Sequence, residues 1–335
     1  MQKYFYTSAK ITLILVYVVI LAGAMVRMTG SGMGCPDWPK CFGYYIPPSD
    51  IKELTWSPGR EFKEGQVIIR NEALWVASDD FTTGAQYDPA HWRPYTKHDY
   101  AIFNPTHTWI EYVNRLSGAL AGLATLLMAI FSLAYARKNK TITILSWLTV
   151  ILMGFQGWLG ATVVYSVLNP MKITLHMLVA LIIVAIVLYI LNRAKLQDRR
   201  LASGTFRILL IAAIALSLIQ ILLGTQVRQF VDEQVAAAAS VFDNPALVFY
   251  FHRSFSIVVF AVNFALFFRS RKSGIETNNI SWMMALIVIE ILSGVAMYYF
   301  DFPFGMQAMH LMAAAILFGL QFWLLLRTKL VEKSL

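Results

Sequence analysis

Three histidines stand at matching positions in long apolar segments of the chain. His176, His252 and His310 each follow the start of such a segment by four to six residues. At about 1.5 Å per helical residue, all three would lie roughly 6–9 Å below the same membrane surface. Asn114 falls at the same depth in a fourth segment. Because ionisable groups inside a bilayer are costly and usually functional, the shared depth favours a cofactor site over packing alone.

The ligand types narrow the choice of cofactor. Two cysteines cannot build an iron–sulfur cluster, whereas facing histidines from separate helices suit the two axial positions of a haem iron. His252 and His310 would form a bis-histidine haem site in the second half. His176 faces only Asn114, a poorer iron ligand, so the first half should hold its haem less tightly. That asymmetry suggests a cofactor in one half and a substrate in the other.

Four arginines are placed to contact anionic haem propionates. Arg27 and Arg228 end their spans at the outer face, and Arg115 and Arg253 directly follow Asn114 and His252. The alternative for each is a side chain that extends to the membrane interface without contacting a ligand.

Two acidic residues fall within apolar segments. Glu111 lies one helical turn from Asn114 on the same face, where it could accept a proton in a reaction of the first-half haem. Phe249 takes the matching place in the second half. Glu290 lies mid-span where the repeat described below places Gln156, and we expect a neutral, hydrogen-bonded carboxyl, with proton or quinol chemistry as the alternative.

The elements that must carry these residues are membrane-spanning helices. Of 335 residues, 58% are hydrophobic and 14% are charged, well below the ~25% charged residues of globular domains. Segments of about 20 apolar residues can cross a bilayer. The predicted fold is an all-α polytopic membrane protein whose eight transmembrane helices form two pseudo-symmetric four-helix bundles. The predicted spans are 11–29, 108–135, 141–163, 171–193, 207–229, 246–268, 281–300 and 306–326.

An internal repeat defines the two halves. Gly160, Tyr165 and His176 recur with the same spacing as Gly294, Tyr299 and His310. The Gly-x-x-Val-Arg motif ending at Arg27 recurs at Arg228, and Asn114-Arg115 recurs as His252-Arg253. The pattern predicts a parallel repeat. Residues 1–200 form the substrate-haem half, with residues 30–106 inserted as an outer loop, and residues 201–335 form the resident-haem half.

The charge distribution orients the chain. The net charge is +9, and more than half of the 28 Lys and Arg residues fall on one side, near the N-terminus and in segments 137–140, 193–207, 269–272 and 327–333. This bias marks cytoplasmic loops, so both termini are expected inside, with membrane lipid and not nucleic acid as the partner. The absence of an evident cleavable signal or transit segment favours a bacterial cytoplasmic membrane.

The outer loop carries its own features. Residues 66–70 and 73–77 resemble two short strands, and we favour a β-hairpin cap over a small carbohydrate-binding module. Cys35 and Cys41 lie outside, where a disulfide can form. Metal binding by only two ligands is the weaker alternative, and a redox role is another.

Several of these motifs together resemble the haem A synthases. Residues 28–41 (MTGSGMGCPDWPKC) resemble their first outer loop, residues 111–115 (EYVNR) their Glu-x-x-His-Arg motif, and His252-Arg253-Ser254 its partner. The stretches 156–160 and 168–176 also fit. The likeness covers nearly the whole chain except the hairpin insertion.

The resemblance implies oxidation of the C8 methyl group of haem O to the formyl group of haem A. It implies a haem b on His252 and His310, and haem O near His176 and Glu111. Haem O synthase and cytochrome oxidase assembly proteins are the partners it suggests. The chain departs from the family at Asn114, where a histidine is expected.

Two other classes fit part of the pattern. A b-type cytochrome passing electrons between quinol and a partner needs the histidines but not Glu111. A transporter with parallel repeats needs neither tightly bound haem nor a reaction.

Overall fold

The computed structural model describes residues 2–195, 200–236, 245–273 and 277–330. Within these ranges, eight helices are long and apolar enough to cross a membrane, as predicted. Arg199 and Lys333, two of the basic residues counted for orientation, lie outside the described residues. The helices are α1 Gln2–Met28, α2 Pro105–Ser132, α3 Lys140–Tyr165, α4 Pro170–Ala194, α5 Gly204–Ala236, α6 Leu247–Ser273, α7 Thr277–Tyr299 and α8 Met306–Arg327.

Asn-Pro pairs set where two of the site-bearing helices begin. Asn104 accepts a hydrogen bond from the main-chain N–H of Thr106 at 3.0 Å, just before α2. Asn169 does the same for Met171 at 3.1 Å, just before α4. Asn is a preferred N-cap, and proline fits the first helical position because its missing N–H needs no partner there. These starts fix the depths of Asn114 and His176.

The helices extend beyond the predicted apolar spans. α1 begins at Gln2 instead of residue 11, and α5 continues to Ala236 instead of residue 229. A hydropathy window reports only the apolar part of a helix, whereas the backbone stays helical through the flanking polar residues. A short parallel pair, β6 Arg200–Ala202 with β7 Thr328–Leu330, was not predicted.

The chain divides into two compact units. The larger unit comprises Met1–Leu21, Ala121–Met153 and Met177–Leu335, and the smaller comprises Ala22–Leu120 and Gly154–His176. Fully buried aliphatic side chains such as Leu181, Ile183 and Ile190 form the core of the larger unit. The assignment of residues 1–200 and 201–335 to two symmetric bundles stays a prediction.

The inserted loop folds into two small sheets, which we call the cap. The predicted hairpin is confirmed: β2 Val67–Arg70 pairs antiparallel with β3 Ala73–Ala77. Its turn residues Asn71 and Glu72 both have positive φ, the requirement of a type I′ turn. β5 Trp92–Pro94 extends this sheet, and β1 Glu61–Phe62 pairs with β4 Phe81–Thr82.

The cap owes its core to aromatic side chains. Phe62 and Trp92 are almost fully buried, with ring centroids 5.0 Å apart in an edge-to-face contact. Because these rings pack against one another, they provide no exposed platform for a sugar. The arrangement favours the hairpin cap over the carbohydrate-binding module.

Candidate functional site

The cysteine loop, residues 34–41, lies in the smaller unit. Cys35 and Cys41 are buried and form a disulfide, as predicted. The described part of the chain contains no group of three or more His, Cys, Asp or Glu residues able to hold a metal ion.

Glu111 connects α2 to the cysteine loop. Its side chain is buried, and Oε2 accepts a hydrogen bond from the main-chain N–H of Cys35 at 2.8 Å. Oε1 accepts from Nε of Arg115, one helical turn further on, at 3.1 Å. A guanidinium beside a buried carboxylate offsets the cost of removing both charges from water. Both carboxylate oxygens of Glu111 therefore have protein partners.

The guanidinium of Arg115 binds main-chain oxygens of the same loop. Nη1 donates to the carbonyl oxygens of Asp37 at 2.6 Å and Lys40 at 2.9 Å, and Nη2 donates to that of Cys35 at 3.1 Å. The guanidinium thus organises the loop. Its predicted contact with a haem propionate stays a prediction. The accepting carbonyl groups are far from Arg115 along the chain, so no local sequence pattern predicts these hydrogen bonds.

Further contacts hold the cysteine loop from the cap and from α3. Tyr95 donates from its hydroxyl to Pro36 O at 2.7 Å, and Tyr165 donates to Trp38 O at 3.1 Å. The Asp37 carboxylate accepts from the N–H groups of Phe42 at 2.5 Å and Gly43 at 2.7 Å. Burial raises the pKa of the Asp37 carboxyl, and these donors and the nearby guanidinium oppose the rise.

Gly34 is required by close packing at the start of the loop. A Cβ built on Gly34 would overlap the main-chain oxygen of His107. Any larger residue would therefore displace the loop from the first turn of α2, where Thr108 Oγ1 donates to Gly34 O at 2.7 Å.

The smaller unit also contains His176 and Asn114. Gln156 on α3 donates from Nε2 to the main-chain oxygen of His176 at 2.9 Å. His176 Nδ1 and Asn114 Oδ1 are buried, and neither has a hydrogen-bond partner among the described residues. Buried polar atoms without partners are uncommon in native structures.

The larger unit brings His252 and His310 together. Their ring centroids are 6.2 Å apart, with the ring planes at 63°. Gln220 on α5 donates from Nε2 to the main-chain oxygen of His252 at 3.0 Å. The pairing that the sequence predicted from helix depth is therefore present in the structure.

The four candidate ligand positions share one packing arrangement. In each case, a glycine on an odd-numbered helix faces the side chain on the next helix. A Cβ built on Gly160 or Gly294 would lie 3.6 or 3.8 Å from Cε1 of the facing histidine. The pairs are Gly23 with Asn114, Gly160 with His176, Gly224 with His252 and Gly294 with His310.

The residue four positions before each glycine lies on the same helix face. Gln156 and Gln220 occupy this position before Gly160 and Gly224, and both donate to a histidine main-chain oxygen. The Gln-x-x-x-Gly spacing was a signal in the sequence that our prediction did not use. Glu290 takes the same position before Gly294.

The ring of His310 has a partner at each nitrogen. Ser293 Oγ lies 2.8 Å from Nδ1, and Glu290 Oε2 lies 3.1 Å from Nε2. Glu290 is thus a hydrogen-bonded carboxyl, as expected.

In the second half, Phe249 lies at the place that matches Glu111. Its ring stacks on that of Tyr298, with ring centroids 5.3 Å apart.

The remaining arginines contact protein groups. Arg228 forms an ion pair with Asp232, with Nη2 2.6 Å from Oδ1. The exposed guanidinium of Arg253 lies 5.3 Å from the ring centroid of Tyr250. Arg27, at the end of α1, is half-buried. Propionate contacts for all three stay predictions.

Comparisons with known proteins identify the family of the chain. The model of the family described as "Cytochrome oxidase assembly protein" matches residues 7–67 and 64–322. The chain is 24% identical to the Heme A synthase of Bartonella tribocorum, over 93% of this chain and 89% of the relative. It is 26% identical to the Heme A synthase of Flavobacterium johnsoniae, over 91% and 92%, and 26% identical to that of Paracoccus denitrificans, over 92% and 83%. The chain belongs to the cytochrome oxidase assembly protein family.

Proposed function

We propose that the chain is a haem A synthase, an oxidoreductase that converts the C8 methyl group of haem O to the formyl group of haem A. Three relatives named Heme A synthase that align over most of the chain support this activity. The observation that carries the proposal is the division of candidate haem ligands between two unlike sites. His252 and His310 form one, and His176 with Asn114 forms the other.

The first site suits a resident haem b. Histidines from two separate helices are suitable haem ligands. His252 and His310, whose ring centroids are 6.2 Å apart, would hold the haem. Haem b bound there supplies one-electron transfer at a potential set by its axial ligands and their hydrogen bonds.

The second site suits a substrate that must enter and leave. His176 offers one strong iron ligand, and Asn114 a weak one. Neither His176 Nδ1 nor Asn114 Oδ1 is bonded to another protein group among the described residues. A single strong ligand gives weaker retention, as release of a product requires.

Glu111 is the proton acceptor that we propose for the reaction. Conversion of a methyl to a formyl group replaces two carbon–hydrogen bonds by one carbon–oxygen double bond. With water as the oxygen source it releases four protons and four electrons, and the electrons pass to an external acceptor. A base near the reacting carbon accelerates the reaction by taking up a proton. The Arg115 guanidinium holds the Glu111 carboxylate in place. Its bond to Cys35 couples the base to the cysteine loop.

A second candidate function is favoured by one observation. Both carboxylate oxygens of Glu111 are bonded to protein groups, which is also what a purely structural residue would show. In that case, the chain is a b-type cytochrome that passes electrons between quinol and a partner protein.

The proposed function also implies a membrane location and partner proteins. We place the chain in a bacterial cytoplasmic membrane with both termini inside, so that the cap faces outward. Haem O synthase is the source of the substrate, and cytochrome oxidase assembly proteins receive the product.

Haem extraction separates the two candidates. Cells that accumulate haem O are grown with and without the chain, and their haems are resolved by chromatography. A haem A synthase produces haem A only when the chain is present. Unchanged haem O together with a reduced haem b spectrum would identify the b-type cytochrome.

A further inference from the structure

Two large apolar side chains of the cap are exposed, although the backbone that carries them is held in place. Tyr45 is 78% exposed and Ile46 is 71% exposed. They directly follow the backbone bridge between Cys41 and Tyr44, and the buried Pro47 comes directly after them. Proline restricts its own backbone and that of the residue before it. The exposed pair therefore belongs to an ordered loop.

The residues that follow this pair are fixed by hydrogen bonds. The Glu53 carboxylate accepts from the main-chain N–H groups of Ser49 at 2.8 Å and Asp50 at 3.0 Å. The Ser49 hydroxyl accepts a hydrogen bond from the indole Nε1 of Trp109 at 3.0 Å. Trp109 lies near the start of α2, so residues 45–51, which we call the 45–51 segment, are attached to that end of the helix.

One side of α2 presents an exposed apolar stripe. At about 100° per residue, four exposed side chains fall within an arc of about 60°. They are Trp109, Val113, Leu116 and Leu120. Glu111, which bonds to the cysteine loop, lies on the opposite side of the helix. Because α2 is long and apolar enough to cross a membrane, we assign this stripe to the surface that contacts lipid.

The 45–51 segment lies beside the end of this stripe, since Ser49 bonds to the Trp109 indole. Both belong to the smaller unit. Tryptophan and tyrosine are enriched where a membrane meets water, because each has an apolar body and a polar group that can hydrogen-bond. Lys40 Nζ lies 4.9 Å from the ring centroid of Tyr45, and lysine is favoured at membrane interfaces because its apolar stem carries a charged end. These side chains suit contact with lipid headgroups.

We propose that the 45–51 segment inserts Tyr45 and Ile46 into the headgroup region of the bilayer beside α2 and so attaches the cap to the membrane surface. The partner is a phospholipid bilayer, because the segment continues the lipid-facing stripe of a membrane-spanning helix. The inference requires the membrane-spanning helices and does not depend on the haem chemistry proposed above.

The test places a nitroxide spin label on the full chain in phospholipid nanodiscs. Ile46→Cys is labelled and compared with Leu116→Cys in the lipid-facing stripe. The second control is Ser78→Cys, an exposed cap position next to two exposed carboxylates. Cys35 and Cys41 are bonded to each other, so the unmutated chain should take up no label. Power saturation of the spin signal is measured with oxygen, which concentrates in the bilayer, and with a water-soluble nickel chelate.

The ratio of oxygen accessibility to nickel accessibility at position 46 should exceed that at position 78 and approach that at position 116. A ratio equal to that at position 78 would place the segment in water and overturn the inference. Low accessibility to both reagents would show that a protein surface covers the segment, which would overturn it as well. If Ile46→Cys does not accumulate, Tyr45→Cys is labelled and read in the same way.

Discussion

The carboxylate of Glu111 accepts a hydrogen bond from the main-chain nitrogen of Cys35 at 2.8 Å, which links α2 to the disulfide-bonded loop. Arg115 strengthens this link by bonding Glu111 and three loop carbonyls at once. The residue that we propose as the base is therefore held by the cysteine loop. Changes in the loop should affect the first-half site and leave the second-half site intact.

Removing the disulfide tests whether the cysteine loop affects the first-half site and leaves the second-half site intact. Replacing both Cys35 and Cys41 by serine removes a short-loop crosslink that contributes about 2–3 kcal/mol in the chain-entropy model. The cap should become more sensitive to limited proteolysis, and haem A formation should fall. The reduced haem b spectrum should stay at its wild-type intensity, and a parallel loss of haem b would contradict the separation.

The second-half ligands are tested by removing each histidine. His252→Ala and His310→Ala should each abolish most of the b-type absorbance of the purified protein, because one axial ligand is lost. His176→Ala is the matched control and should retain that absorbance. Reduced-minus-oxidised spectra at equal protein concentration give the answer. Normal haem b in both second-half variants would refute the assignment.

Gln220 and Gln156 should each support a different one of the two proposed haem sites. Gln220→Leu removes the bond to His252 O and should weaken retention of haem b. Gln156→Leu removes the bond to His176 O and should lower haem A formation while haem b is unchanged. A net hydrogen bond contributes about 0.5–1.5 kcal/mol, so each effect should be at most about tenfold. Equal effects of both variants on haem b would contradict this division.

Asn114→His should be accepted by the fold. Gly23 leaves space beside Asn114, since its built Cβ would be 3.9 Å from Oδ1. The new imidazole should tighten the first-half site by adding a second strong iron ligand. The haem-to-protein ratio of the purified variant should rise above that of the wild type. A ratio at or below the wild-type value would show that this position does not face the iron.

Sequence patterns predicted the helices and the positions of the candidate ligand residues along them. Both depend on the local order of residues in the chain. Apolar length identified eight spans, and the spacing from Gly160 to His176 recurs from Gly294 to His310. The hairpin was predicted because residues 66–70 and 73–77 resemble two neighbouring short strands, and these strands pair in the structure. The contacts of Arg115 and Ser293 were not predictable, because they depend on main-chain oxygens and ring orientations that appear only after packing.

The most direct test of two sites with different tasks is the haem content of Glu111→Gln. This variant keeps the side-chain shape and removes the charge. Haem O, haem A and the reduced haem b spectrum are measured in the same preparation. We expect haem A formation to fall by about 10²–10⁴-fold, with haem b on His252 and His310 intact. Haem A formed at the wild-type rate would contradict the account and leave Glu111 as a structural residue of the cysteine loop.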